Sequence, residues 1–183
     1  MFPPNFSAFY GLAFCAGAFF PRPIKWCLPL GTLVLTDIAL DIYYRSFSPE
    51  QFVNYAAFAG LIWFGGKFNP RASWLRLLSG GILGAIAFYF VTNTASWLFN
   101  PFHNSEYTKD LVGWIVALTQ GTRGYPTTLE FFRNTLLSGG LFTGLFAGAM
   151  KLTEFAESAR EKEPAKELAE EPDEEAAPGD AKA

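Results

Sequence analysis

The chain has 183 residues; half are AVILMFWYC, 20 are phenylalanine and 17% are charged. An average soluble domain is about 25% charged, so one domain's worth of this composition argues against a soluble globule. Residues 1–153 carry 10 basic and 6 acidic side chains and residues 154–183 carry 4 and 11, so the acidic balance belongs to the tail, and neither a cationic partner nor a nucleic acid is implied.

In chain order, residues 1–4 lack the positive charge of a cleavable leader. A first apolar segment covers residues 5–20, and Pro21 and Pro23 separate it from a second at 25–44. Ser48-Pro49 precedes a third at 50–66, and Asn69-Pro70 precedes a fourth, the longest, at 74–99. Asn100-Pro101 ends the fourth. Pro and Asn-Pro are strong breakers, so these limits are sharp. Residues 107–120 hold an apolar core of eight residues, LVGWIVAL, too short to cross a membrane and suited to an interfacial or re-entrant helix. A last segment covers 131–152. Crossing the hydrocarbon takes about 20 apolar residues. The second, fourth and last segments meet that requirement, and the first and third need tilt or bilayer thinning. The expected fold is therefore all-α, a membrane bundle of five spans plus one short helix. Pro29 lies inside the second segment as a potential kink. The tail, 154–183, lacks the apolar surface to order itself; helix is expected to about Leu168 and disorder beyond.

Lys and Arg gather between segments one and two (Arg22, Lys25), between three and four (Lys67, Arg71, Arg76), and after the last (Lys151, Arg160, Lys162). The positive-inside rule places those loops and the C-terminus in the cytoplasm. The N-terminus is then outside.

Polar residues within the segments are the informative ones, because a carboxylate in a membrane helix costs at least about 2.5 kcal/mol. Asp37 and Asp41 lie four apart, on one helix face. Asn93 sits near the outer end of the fourth segment with Trp97 one turn on, and Arg133 and Asn134 open the last. These groups are expected at one depth, as a water-accessible pocket for a small solute. The alternative is a structural tie, with Arg133 neutralising Asp41 and the two amides holding helices together. Small residues four apart, Gly140, Gly144 and Gly148, Gly80 and Gly84, and Ala13 and Gly17, fit close helix packing within the bundle, or docking to a second membrane protein. Cys15 and Cys27 read as small packing residues, and His103 as a loop surface residue. No catalytic motif, cofactor motif or metal-ligand set is present, so no enzyme is expected. The Asp37/Asp41 pair alone would support one.

Pro3-Pro4-Asn5-Phe6, GLAFCAGAFF, Asp37, the Val-Thr-Asn run at 91–93 with Trp97, and FFRNTLLSGGLFTGL at 131–145 resemble a bacterial membrane family whose members are described as transport proteins. That family is similar to the substrate-binding S components of energy-coupling factor transporters. The resemblance covers about residues 3–150. It implies a small-nutrient site near the outer face that uses Asp37, Asn93, Trp97, Arg133 and Asn134; Asp41 is added by helix spacing. It also implies a membrane scaffold subunit and two cytosolic ATPases as partners, and the bacterial cytoplasmic membrane as location. Relatives carry a further helix before Pro-Pro-Asn-Phe, which would make six spans. Function by analogy is weaker than function from a site. The rival expectation is a non-transporting scaffold that uses the glycine faces and the acidic tail.

Overall fold

The computed structural model describes residues 3–170, with side chains to residue 160. Among the described residues there are six helices: α1 Phe9–Phe19, α2 Ile24–Tyr44, α3 Glu50–Gly65, α4 Trp74–Phe99, α5 Leu111–Thr119 and α6 Thr128–Glu170. No strand occurs among the described residues. The chain divides into two units, Met1–Gly148 and Ala149–Ala183.

Local chemistry sets most helix ends. The Asn5 backbone is left-handed, and the Phe9 amide donates to Ser7 Oγ at 3.1 Å, so α1 starts later than the apolar run does. Ser73 caps α4 by accepting from the Arg76 amide, and Asn100 closes it in the left-handed conformation. A Thr127–Glu130 capping box opens α6: the Glu130 amide donates to Thr127 Oγ1 at 3.3 Å and the Thr127 amide to Glu130 Oε2 at 3.2 Å. α6 thereby begins three residues before the apolar segment. It runs to Glu170, two residues past the expected end. The expected disorder beyond that lies outside the described residues.

Three helices, Ile24–Tyr44, Trp74–Phe99 and Thr128–Arg160, are long and apolar enough to cross a membrane. Their lipid-facing character shows in exposed Leu35, Ile42, Leu98 and Leu145. Apolar surface on this scale has no place against water; this is a membrane protein. At 1.5 Å per residue, the 11 residues of α1 reach about 16 Å and the 16 of α3 about 24 Å. Both fall short of a hydrocarbon layer of about 30 Å.

The shortest of these, α1, is the centre of the first unit. Ala13, Phe14 and Ala16 are fully buried, and Phe14 packs edge-on to Phe68 at 5.1 Å between ring centroids. α1 meets α3 backbone to backbone: a Cβ on Gly17 would collide with the Ile62 carbonyl, and one on Gly65 with the Phe14 carbonyl. Pairs along the helices give their directions. Gly17 lies by Ile62 and Asn134 by Pro4, while Tyr10 lies by Phe88 and Asp41 by Gln51. α1, α3 and the start of α6 therefore run one way, and α2 and α4 the other. The C-terminal ends of α2 and α4 and the N-terminal ends of α1, α3 and α6 share one end of the bundle.

The glycine series are spent on packing within the unit. Gly80 meets Phe68 and Phe14, and Gly84 meets Leu61. A Cβ on Gly140 would lie 3.6 Å from Ile82, and one on Gly144 or Gly148 3.3 or 3.6 Å from the Trp74 ring. Cys15 is buried as expected; Cys27 is exposed, because α2 covers the bundle with only a narrow face and Pro29 is its one fully buried residue.

Candidate functional site

At the end where α4 finishes and α3 and α6 begin, two adjoining hollows open beneath the 100–127 connection. The larger, about 470 Å³, is lined among others by Glu50, Asn93, Ser96, Tyr107, Thr128 and Phe131. The smaller, about 330 Å³, continues over Val53, Asn54, Thr92 and Phe99. Glu50 and Ser96 line both. Ser96 Oγ donates to Glu50 Oε1 at 3.2 Å across the α3–α4 seam. Volumes of this size fall at the small-ligand end of the range for binding pockets.

The walls are built by turn chemistry. Asn100 and Asn104 bond reciprocally, side-chain amide to Asn104 carbonyl at 3.0 Å and Asn104 amide to Asn100 Oδ1 at 2.8 Å, which folds the chain back after α4. Asp110 caps α5 by accepting from the Gly113 amide at 2.8 Å and the Thr108 hydroxyl at 2.7 Å. Those bonds hold its carboxyl below the usual range. Nine-residue α5 is too short to cross. It is pinned to α4 by the Tyr89 hydroxyl on the Leu118 carbonyl and by Trp114 Nε1 on Thr94 Oγ1 at 3.0 Å. Gly121, with φ +74°, turns the chain from α5 toward α6 where a Cβ would strike Thr128 Oγ1. The Arg123–Glu106 pair at 3.5 Å links the two loops over the hollow.

The six residues expected to converge separate into distinct roles. Asn93 lines the larger hollow, its Nδ2 anchored to the Tyr89 carbonyl at 2.8 Å. Asn134 is buried and donates to the Pro4 carbonyl at 2.9 Å, so it holds the N-terminal segment rather than a ligand. Trp97 donates to the Thr108 carbonyl at 2.7 Å, and Lys109 lies over its ring at 5.6 Å, so it is a strut for the loop before α5 and does not line the hollow. Arg133 is exposed and does not neutralise Asp41. Asp41 instead accepts from Gln51 Nε2 at 2.9 Å, and the Tyr55 hydroxyl stands beside Asp37. The two carboxylates thus share the α2–α3 seam, apart from Asn93. The reason is rotational: 100° per residue sends Arg133 outward when its neighbour Asn134 points in.

Glu50, which lines both hollows, is not among the residues expected from the sequence. Next to Ser48-Pro49 it reads as a helix start, where an acid is expected for the dipole alone. Nothing in the linear pattern places it opposite Ser96. No group of three or more His, Cys, Asp or Glu suited to a metal occurs among the described residues.

A model of a family of unknown function, DUF6580, matches residues 1–163. The chain belongs to DUF6580. The match takes in all six helix starts and every residue that lines the two hollows, so the site lies within the DUF6580 domain. No curated protein and no solved structure matches the chain.

Proposed function

We propose that this DUF6580 member is an S-component-like membrane protein that captures a small polar solute from outside the cell for uptake. A membrane scaffold subunit and cytosolic ATPases would supply the energy. The observation that carries this reading is the paired hollow at one end of the bundle, polar at Glu50, Asn93 and Ser96 and roofed by a stapled loop. Charge supports facing that end outward. The opposite end of the bundle gathers Arg22, Lys25, Lys67, Arg71 and Arg76, with no acidic residue in 20–25 or 66–76, the pattern of a cytoplasmic surface. The tail is then cytoplasmic, in a bacterial inner membrane. Five helices alternate in direction; α2, α4 and α6 cross by their own length, and α1 and α3 complete the bundle between them.

The scaffold reading draws less support, because the Gly140, Gly144 and Gly148 series already faces Ile82 and Trp74 of the same chain.

The test is labelling of Thr122→Cys and Asn93→Cys, in a Cys27→Ser background, by a membrane-impermeant maleimide on right-side-out vesicles. Both react without permeabilisation if the hollow opens outward. Reaction only after the membrane is breached would overturn the reading.

A further inference from the structure

The charge inventory of the hollow names the class of solute it takes. Its lining holds one carboxylate, Glu50, and no Lys, Arg or His. The cations closest in sequence to its walls are engaged or turned away. Lys109 Nζ donates to the Trp97 and Leu98 carbonyls at 2.5 and 2.6 Å, and Arg123 pairs with Glu106. Arg133 is exposed and outside the lining. Glu50 itself is half-buried, with Oε1 accepting one bond from Ser96 and no ion pair among the described residues. An ionised carboxylate offers about four acceptor sites, and leaving such a charge poorly partnered in a low-dielectric place is costly.

Part of the remaining wall is aromatic, beside Asn93, Ser96, Asn104, Thr122 and Thr128. Phe102, Tyr107, Tyr125 and Phe131 line the same hollow. Phe102 and Tyr125 are 60% and 73% exposed, free at its mouth. Aromatic faces attract cations through the ring quadrupole. An anionic solute would meet the Glu50 charge with no counter-charge to offset it.

We propose that this hollow selects small organic cations, solutes that carry an amine or ammonium group, with the Glu50 carboxylate as counter-charge and the aromatic rings as walls. This rests on the hollow being the solute site proposed above.

Three probes of one shape and different charge test it: tetramethylammonium, tert-butanol and pivalate. In purified full-length protein, tetramethylammonium is expected to bind by calorimetry and to slow maleimide labelling of Asn93→Cys. The neutral and anionic probes should do neither. Glu50→Gln keeps an oxygen for the Ser96 hydroxyl and should weaken cation binding about tenfold or more, the worth of one charge-assisted contact. Tyr125→Leu, on an exposed side chain, should weaken it by a smaller factor with the melting temperature unchanged. Unaltered cation affinity in Glu50→Gln, or pivalate binding as tightly as tetramethylammonium, would sink the proposal. So would an absence of cation binding while Thr122→Cys still labels from outside, and that outcome leaves the outward solute site standing. Failure of the Thr122→Cys labelling itself removes the site.

Discussion

α1 and α2 follow one another in the chain and are both apolar, yet they occupy opposite environments. α1 has 11 residues, eight of them buried; α2 has 21, of which Pro29 alone is buried. α1 is the more apolar of the two, with no charged residue against Lys25, Asp37 and Asp41 on α2, but apolarity alone does not choose between lipid and protein interior, which are equally apolar. Side-chain size does. α1 is rich in Ala, Gly and Cys, which let α3 and α6 approach its backbone, while Phe14 fills the gap toward Phe64 and Phe68. α2 turns Leu35, Ile38 and Ile42 outward, and a Cβ on its Gly31 would meet nothing within 4 Å. Length follows environment as well: a helix enclosed by others need not span the hydrocarbon, and one facing lipid must.

That contrast breaks first at Phe14. Phe14→Ala should cost about 3–5 kcal/mol, the cavity-forming loss for a buried ring. Leu35→Ala on α2 should stay within about 0.5 kcal/mol. Thermal unfolding in nanodiscs compares the two, and equal losses would remove the distinction between the helices. Next in size is Gly17→Ala, whose Cβ meets the Ile62 carbonyl. Overpacking of this kind costs about 1–3 kcal/mol, whereas Gly31→Ala should be neutral or slightly stabilising because Ala is the better helix former. The same melting assay reads both.

Two further substitutions sharpen the separation of framework from site. Asn134→Ala removes the bond to the Pro4 carbonyl and should destabilise by about 0.5–1.5 kcal/mol, the net worth of one hydrogen bond. Asn93→Ala should leave stability nearly unchanged and reduce binding of tetramethylammonium, measured by calorimetry. The smallest effect belongs to Asp110. Its carboxyl titrates below the ordinary value because the Gly113 amide and Thr108 hydroxyl bond to the charged form. Its folded value is lower than its unfolded one, so the stabilisation is present in full above the unfolded value, near 4. It is lost as pH falls through the folded value. Denaturation at pH 6 and pH 3 should therefore show a slightly larger acid loss in wild type than in Asp110→Asn.

The ends of α2, α3 and α4 were legible because each lies beside a local signal. Ser48-Pro49 and Asn69-Pro70 begin four residues after the last residues of α2 and α3, and Asn100-Pro101 begins immediately after α4; the segment ends read beside them, 44, 66 and 99, fall within one residue of the helix ends. The start of α6 was legible too, in Thr127-x-x-Glu130, although the apolar run alone points three residues later. Of the six residues expected at one depth, Asn93 alone lines the hollow. Six polar residues at similar depth are compatible with one pocket or several seams, and depth carries no information about rotation around each helix axis.

The sequence by itself determined what short-range chemistry controls: an all-helical apolar chain, its breaks, its basic end and the tail's acidity. These follow from breakers, capping groups and composition, each of which acts within a few residues. Tertiary structure alone decided that the 11-residue α1, too short to cross by itself, is the most buried helix, that Glu50 faces Ser96 46 positions away, and that Asn134 bonds the Pro4 carbonyl while Asn93 lines the hollow. Those outcomes depend on which helix faces meet, and that choice is made by side-chain volume and close backbone approach between segments distant in the chain.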